Sequence, residues 1–165
     1  MKKYYVFLMI ASIMVFACNK KTETEQKATE AKAEITAKHR CANCGMDTEK
    51  YPNWEQKVVS EDKGTMYFDG ARCMFKVLLD SAVAPKQINQ ILVKDYYRLE
   101  YTDGKNAFYV IGSDVLGPMG NELIPFTEKN AAEEFLTDHK GEKIVMFDEV
   151  DMPLIMKLAG KMKMK

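Results

Sequence analysis

The chain has 165 residues, with 24 basic and 24 acidic side chains, so its formal charge at pH 7 is zero. No basic stripe emerges, which leaves nothing to grip nucleic acid, and a chain of this length carries one ordinary core or two small units sharing one. Its four cysteines are the feature that calls for an account.

Taken in chain order, Lys2 and Lys3 precede an apolar run from Tyr4 to Ala17. The run is shorter than the roughly 20 residues that span a bilayer and suits the hydrophobic region of a secretory signal. It ends "VFAC", and a small Ala17 before Cys18 resembles the lipobox of bacterial lipoproteins, which implies a signal peptide over 1–17 and a lipid on Cys18. The following "NKKTETEQKATEAKAEITAK" holds almost no large apolar side chain. It cannot bury enough surface to offset the entropy of ordering, so residues 18–37 read as a flexible tether. With Cys18 lipidated, Cys41, Cys44 and Cys73 remain. An odd number of thiols in an exported protein means that at least one is free or held by a metal.

"KHRCANCGM", residues 38–46, opens the folded part. A lone CxxC is shared by redox, zinc and copper proteins. Zinc sites want four N/S ligands, usually from two clips, and here only His39 and His139 could complete a set made of Cys41, Cys44 and Cys73. A redox pair needs its thiols at a helix start, but Gly45 and Pro52 follow with no apolar stripe. Gly45 allows the backbone to fold back, so Cys44 and Met46 could face one ion. Thiolate with thioether suits Cu(I), for which two or three soft donors suffice. Such low coordination leaves an opening for a partner's ligand, which is carrier chemistry rather than catalysis.

Beyond the loop, Trp54–Ser60 and Thr65–Phe68 read as strands around a turn at "EDKG". "DGARCMFKVLLDSA" is helical, with Ala71, Met74, Phe75, Leu78 and Leu79 at the spacing of a buried stripe and Asp69 placed as N-cap. Cys73 points away from that stripe, either toward the CxxC loop as a third thiolate or as a small side chain packed beneath it. Pro85 ends the region, and "QILVKDYYRL" is a strand. A second pass repeats the first: "AFYVIG" and "ELIPF" are strands, and "TEKNAAEEFLTDH" is a helix with Ala131, Ala132, Phe135, Leu136 and His139 on one face. Gly141 is its stop, and "KIVMFDEV" is a strand. The expected fold is therefore α+β: two tandem ββαβ units, about 38–99 and 104–150, in one compact domain, with helix starts about 58 residues apart. Between the second pair of strands lies "DVLGPMGNE". Its Gly and Pro make a rigid turn, and Met119 there is either incidental surface or a placed ligand. The tail 151–165 adds Met152, Met156, Met162 and Met164. Its first half reads as a short amphipathic helix and its "KMKMK" end as solvated.

Together, "CANCGM", "MYFDGARCMFKVL" and "FYVIGSDVLGPMGNELIPFTEKNAAEEFLTDHKGEKIVMFDEV" resemble the NosL family, accessory lipoproteins of nitrous oxide reductase. The resemblance runs from about Arg40 to Val150. It implies a two-unit ββαβ fold, a lipid-anchored periplasmic protein (more readily the outer membrane) and one bound Cu(I), delivered toward nitrous oxide reductase with an ABC-type maturation complex. The family's CxxCGM falls on Cys41, Cys44, Gly45 and Met46, and its PMG methionine on Met119. Cys44 and Met119 lead the candidate ligands, followed by Met46 and Cys41, then His39 and Cys73. The competing class is a thiol–disulfide protein cycling Cys41 and Cys44.

Overall fold

The computed structural model describes residues 39–160. The expected signal peptide, the Cys18 lipid site, the tether, and Met162 and Met164 lie outside the described residues. Those described form β1 (Gln56–Ser60), β2 (Gly64–Phe68), α1 (Ala71–Leu79), β3 (Ile88–Lys94), β4 (Tyr101–Asp103), β5 (Phe108–Ile111), β6 (Leu123–Phe126), α2 (Lys129–Asp138), β7 (Lys143–Val145) and α3 (Met152–Gly160). Single 3-10 turns sit at Thr48–Lys50 and Phe147–Glu149.

Two antiparallel sheets result, ordered β2-β1-β3-β4 and β6-β5-β7. In each, the first strand of the repeat is central and the helix carries the chain from the strand on one side of it to the strand on the other. The helices start at Ala71 and Lys129, which are 58 residues apart. The α+β reading with two ββαβ passes is borne out; β4, on the free edge of β3, is an addition that the sequence did not announce.

Side-chain alternation explains the sheets. Gln56, Val58 and Ser60 of β1 are buried while Lys57 and Val59 are only partly so, the two-residue period of a half-buried strand. β5 and β6 are apolar without a break because both faces of their sheet are covered. Tyr109, Ile111 and Leu123 enter the larger core with Met74 and Phe75 of α1, whereas Val110, Ile124 and Phe126 pack against Ala132 and Phe135 of α2. Ile155 and Leu158 of α3 complete the larger core.

Five local readings are corrected. Leu79 is 39% exposed and Val77 is buried in its place, because α1 ends at Leu79 and nothing beyond covers it. The N-cap of α1 is Gly70, not Asp69, and no side chain of its own first turn caps it. Instead Glu122, from the turn before β6, accepts the Arg72 N–H and, at 3.0 Å, the Leu123 N–H. A Cβ at position 70 would run into the Glu122 carboxylate, so glycine is required there for close approach. "DYYRL" is a turn rather than strand, since Asp95 Oδ1 accepts the N–H groups of Tyr97 (3.0 Å) and Arg98 (2.9 Å). The left-handed residue that ends α2 is Lys140 (φ 53°), while Gly141 instead lets the chain pass close to Leu136 and Val110. β7 stops at Val145, where Glu149 Oε2 takes the Met146 N–H at 2.6 Å and draws the chain into a 3-10 turn.

A candidate metal centre of thiols and one carboxylate

The CxxC loop is a tight reversal seated on β2. The Cys41 N–H bonds Met46 O at 2.8 Å, the Gly45 N–H bonds Cys41 O at 2.8 Å, and the Ala42 N–H bonds Tyr67 O at 2.8 Å. Gly45 has φ +77°, the left-handed conformation that L side chains avoid, so the fold-back expected of it is real. His39 fixes the loop's other end. Its ring stacks on Tyr67 with centroids 3.7 Å apart, its carbonyl accepts the Thr48 N–H at 2.9 Å, and its Nδ1 lies 3.2 Å from Glu55 Oε2. Glu55 also accepts from Thr48 (2.6 Å) and Tyr101 (2.8 Å). Burial works to raise that carboxyl's pKa, but these hydrogen bonds outweigh it and hold the group below its usual value.

Folding brings the ligand atoms of Cys41, Cys44, Asp69 and Cys73 within 4.8 Å of one another. Two come from the loop, one from the end of β2 and one from the first turn of α1. A tetrahedral ion with metal–sulfur bonds near 2.3 Å needs donors about 3.8 Å apart, so contraction by an ångström or less would close the shell. Cys73 leaves the apolar stripe, as its helical angle indicated, yet it is only 3% exposed because the loop covers it. Asn43 Nδ2 donates to its sulfur at 3.2 Å. All three thiols are free.

Asp69 is the site residue that sequence reasoning missed, having assigned it to the helix cap. Glu122 does the capping, which frees the Asp69 carboxylate for the thiols: Cys44 Sγ lies 3.5 Å from its Oδ2. Its Oδ1 is buried without a hydrogen-bond partner, and such an oxygen calls for a cation or a proton. The signal was present as an acid four residues before Cys73, one helical turn away. Counting Asp69, the group has the four donors that the zinc argument found lacking.

The electrostatics concentrate negative charge. A hydrogen bond from the Cys73 thiol lowers the Cys41 pKa from 9.0 to about 6, against the opposing effect of burial. Cys73, which donates that bond and is buried, moves strongly upward. Partial burial of its sulfur, with Cys41 and Asp69 nearby, pushes Cys44 up to about 11, although the residue as a whole is exposed. Among the three, Cys41 is thus the thiol disposed to ionise first, and the group titrates as a coupled unit.

Met46 and Met119 are part-buried and pack against the same core. Met119 sits in a turn closed by Gly117 N–H to Gly120 O (2.8 Å) and Gly120 N–H to Gly117 O (3.0 Å), and the Arg72 guanidinium donates to its carbonyl. It shares a cavity of about 230 Å³ with Asn43, Arg72, Cys73 and Lys76. Met119 and Cys73 thus line one cavity. His39 stays outside the four-donor group.

An α+β scaffold that gathers three thiols and a carboxylate beneath one loop carries the donor set of a metal-binding protein. Residues 32–155 match the NosL family profile, and the chain belongs to the NosL family. A relative, the copper-binding lipoprotein NosL of Stutzerimonas stutzeri, is 25% identical over 165 residues, covering 92% of this chain and 83% of the relative. The crystal structure of the copper chaperone NosL from Shewanella denitrificans superposes with a TM-score of 0.61 at 24% identity, over 72% of this chain and 94% of that one. The solution structure of apo-NosL from Achromobacter cycloclastes gives a TM-score of 0.45 at 20% identity, over 61% of this chain and 87% of that one.

Proposed function

We propose that this chain is a lipid-anchored periplasmic carrier of Cu(I) that supplies copper for assembly of the copper centres of nitrous oxide reductase, working with an ABC-type maturation complex. The observation that carries the reading is the convergence of three thiols and one carboxylate beneath a loop, with Met46 and Met119 packed on the same core. Thioethers are poor ligands for zinc and good ones for Cu(I), which favours copper although three cysteines and an aspartate also make a zinc-competent set. We assign Cys44 and Met119 as the leading ligands, completed by one further sulfur from Cys41, Met46 or Cys73, with the Asp69 carboxylate beside them. A signal peptide over 1–17 would direct export and be removed, and a lipid on Cys18 would then hold the carrier at a membrane, the outer one in our reading. The redox alternative lacks a helix that begins at its own pair: Cys44 lies in a loop, and the next regular element along the chain is one 3-10 turn at Thr48–Lys50.

Titrating the reduced protein with Cu(I) against a chromogenic chelator tests this. One Cu(I) is expected to bind and to persist against equimolar Zn(II). Met119→Ala should weaken it about tenfold, the worth of roughly 1.4 kcal/mol, and Cys44→Ser more. Tighter Zn(II) than Cu(I) binding, or efficient reduction of a disulfide substrate with affinity indifferent to Met119, would reverse the assignment.

A further inference from the structure

The cavity beside the thiols has a wall that belongs to neither repeat. Ile155, Met156 and Ala159 of α3 line it together with Asn43, Arg72, Cys73, Lys76 and Met119. The helix is fixed in place: Ile155 and Leu158 are buried in the larger core, and Asn121 Nδ2 donates to Leu158 O at 3.3 Å. Met156 follows Ile155, so it stands at the border between the buried face and solvent, and it is 59% exposed while still lining the cavity. One small chamber thus meets a buried thiol at Cys73, a half-buried thioether at Met119 and a largely exposed thioether at Met156. The burial of the sulfur donors falls step by step from the inside outward.

The size of the chamber narrows its use. About 230 Å³ is below the roughly 300–1,000 Å³ of small-molecule pockets, yet it is several times the ~30 Å³ share of one water. An ion with one incoming side chain fits that description better than an organic ligand does. A soft ion leaving the thiols through this side would meet Met119 and then Met156.

Resting on the carrier reading above, we propose that Met156 is a transfer ligand: it takes Cu(I) at the mouth of the cavity during exchange with an acceptor and is no part of the resting site. The step is a ligand substitution. A Cu–S bond to the Met156 thioether forms as one to a cluster cysteine breaks, the released thiolate regains its proton from water, and copper stays monovalent with no electron transferred. The acceptor's soft ligand then replaces Met156 in the same way. Because Met156 is exposed, a partner reaches it without opening the core.

The test uses the reduced full chain loaded with one Cu(I), and follows transfer to excess bathocuproine disulfonate in a stopped-flow mixer. Met156→Leu keeps length and apolarity but removes the sulfur. Met152→Leu makes the same change on the same helix at a residue that does not line the cavity. The expected result is an unchanged equilibrium affinity for both variants, with transfer slowed about tenfold for Met156→Leu alone, as for one lost transition-state contact. Transfer at the wild-type rate in Met156→Leu overturns the proposal, and so does equal slowing in Met152→Leu. A matching tenfold loss of equilibrium affinity overturns it as well, since Met156 would then be a resident ligand. Failure of the unaltered chain to retain Cu(I) removes the carrier reading and this step with it, a result distinct from retention followed by Met156-independent release.

Discussion

At the scale of single residues, the site is governed by where one negative charge rests. Cys41 holds it because the Cys73 thiol donates to its sulfur, and Asp69 opposes further ionisation of all three thiols. The first thiolate in the reduced, metal-free protein should therefore appear near pH 6 by ultraviolet absorbance. Its pKa lies below the ordinary 9.0, so that thiolate is present at neutral pH and is lost as pH falls through about 6. Cys73→Ala removes the donor and should return the transition toward the ordinary thiol range. Asp69→Asn removes the carboxylate's charge at nearly constant volume and should shift thiol ionisation to lower pH; an unchanged transition would mean that the carboxylate does not act on the thiols through its charge. The same buried oxygen that lacks a partner makes this position sensitive to the presence of a cation.

At the scale of elements, the decisive contact is between repeats. α1 carries Arg72 and Cys73, and its first turn is capped by Glu122 from the turn that ends in β6. Through Arg72 the same helix also grips the Met119 carbonyl. The two halves of the proposed ligand set are thus held in register by one buried carboxyl and one guanidinium. Glu122→Ala should cost about 2–3 kcal/mol in denaturant unfolding, since it uncaps α1 and leaves Arg72 buried without its neighbour. Burial pushes the Glu122 carboxyl from 4.5 up to about 7, despite the N–H groups and Arg72 that favour its charged form. Between those two values the native state binds more protons than the unfolded chain, so this group's contribution to stability declines as pH rises from about 4.5 to about 7 and is constant above. On the order of 3 kcal/mol is involved. Glu122→Gln has no proton to lose, and the decline attributable to this site should vanish from its pH–stability profile. A profile identical to wild type would show that Glu122 is ionised throughout.

For the whole molecule, donors from the CxxC loop, the β2–α1 junction and the 117–120 turn come from segments far apart in sequence. A metal that binds them all stabilises the native state alone. At a free Cu(I) concentration a thousandfold above the dissociation constant, unfolding should become harder by about 4 kcal/mol, a rise in Tm of roughly 10 °C or more for a domain of this size. Met119→Leu should cost the metal-free protein no more than about 1.5 kcal/mol, as expected for a volume-conserving change, while reducing the metal-induced rise in Tm. If the rise is unaffected, copper is held by the thiols alone and Met119 only packs.

The sequence alone determined the repeat and most of its elements, because hydrophobic periodicity and turn residues are local quantities: Phe75 and Phe135 mark the two buried helix faces, and Gly45 marks the reversal of the CxxC loop. It also determined the thiol motif, whose residue types limit the chemistry wherever they are placed. Only the tertiary structure decided that Cys73 joins Cys41 and Cys44, that Asp69 serves the thiols while Glu122 caps α1, and that Met156 borders the same cavity as Met119. Those outcomes depend on how one repeat and the C-terminal helix pack on the other. Contacts across such distances are set by the shared burial of apolar surface, which local sequence patterns do not encode.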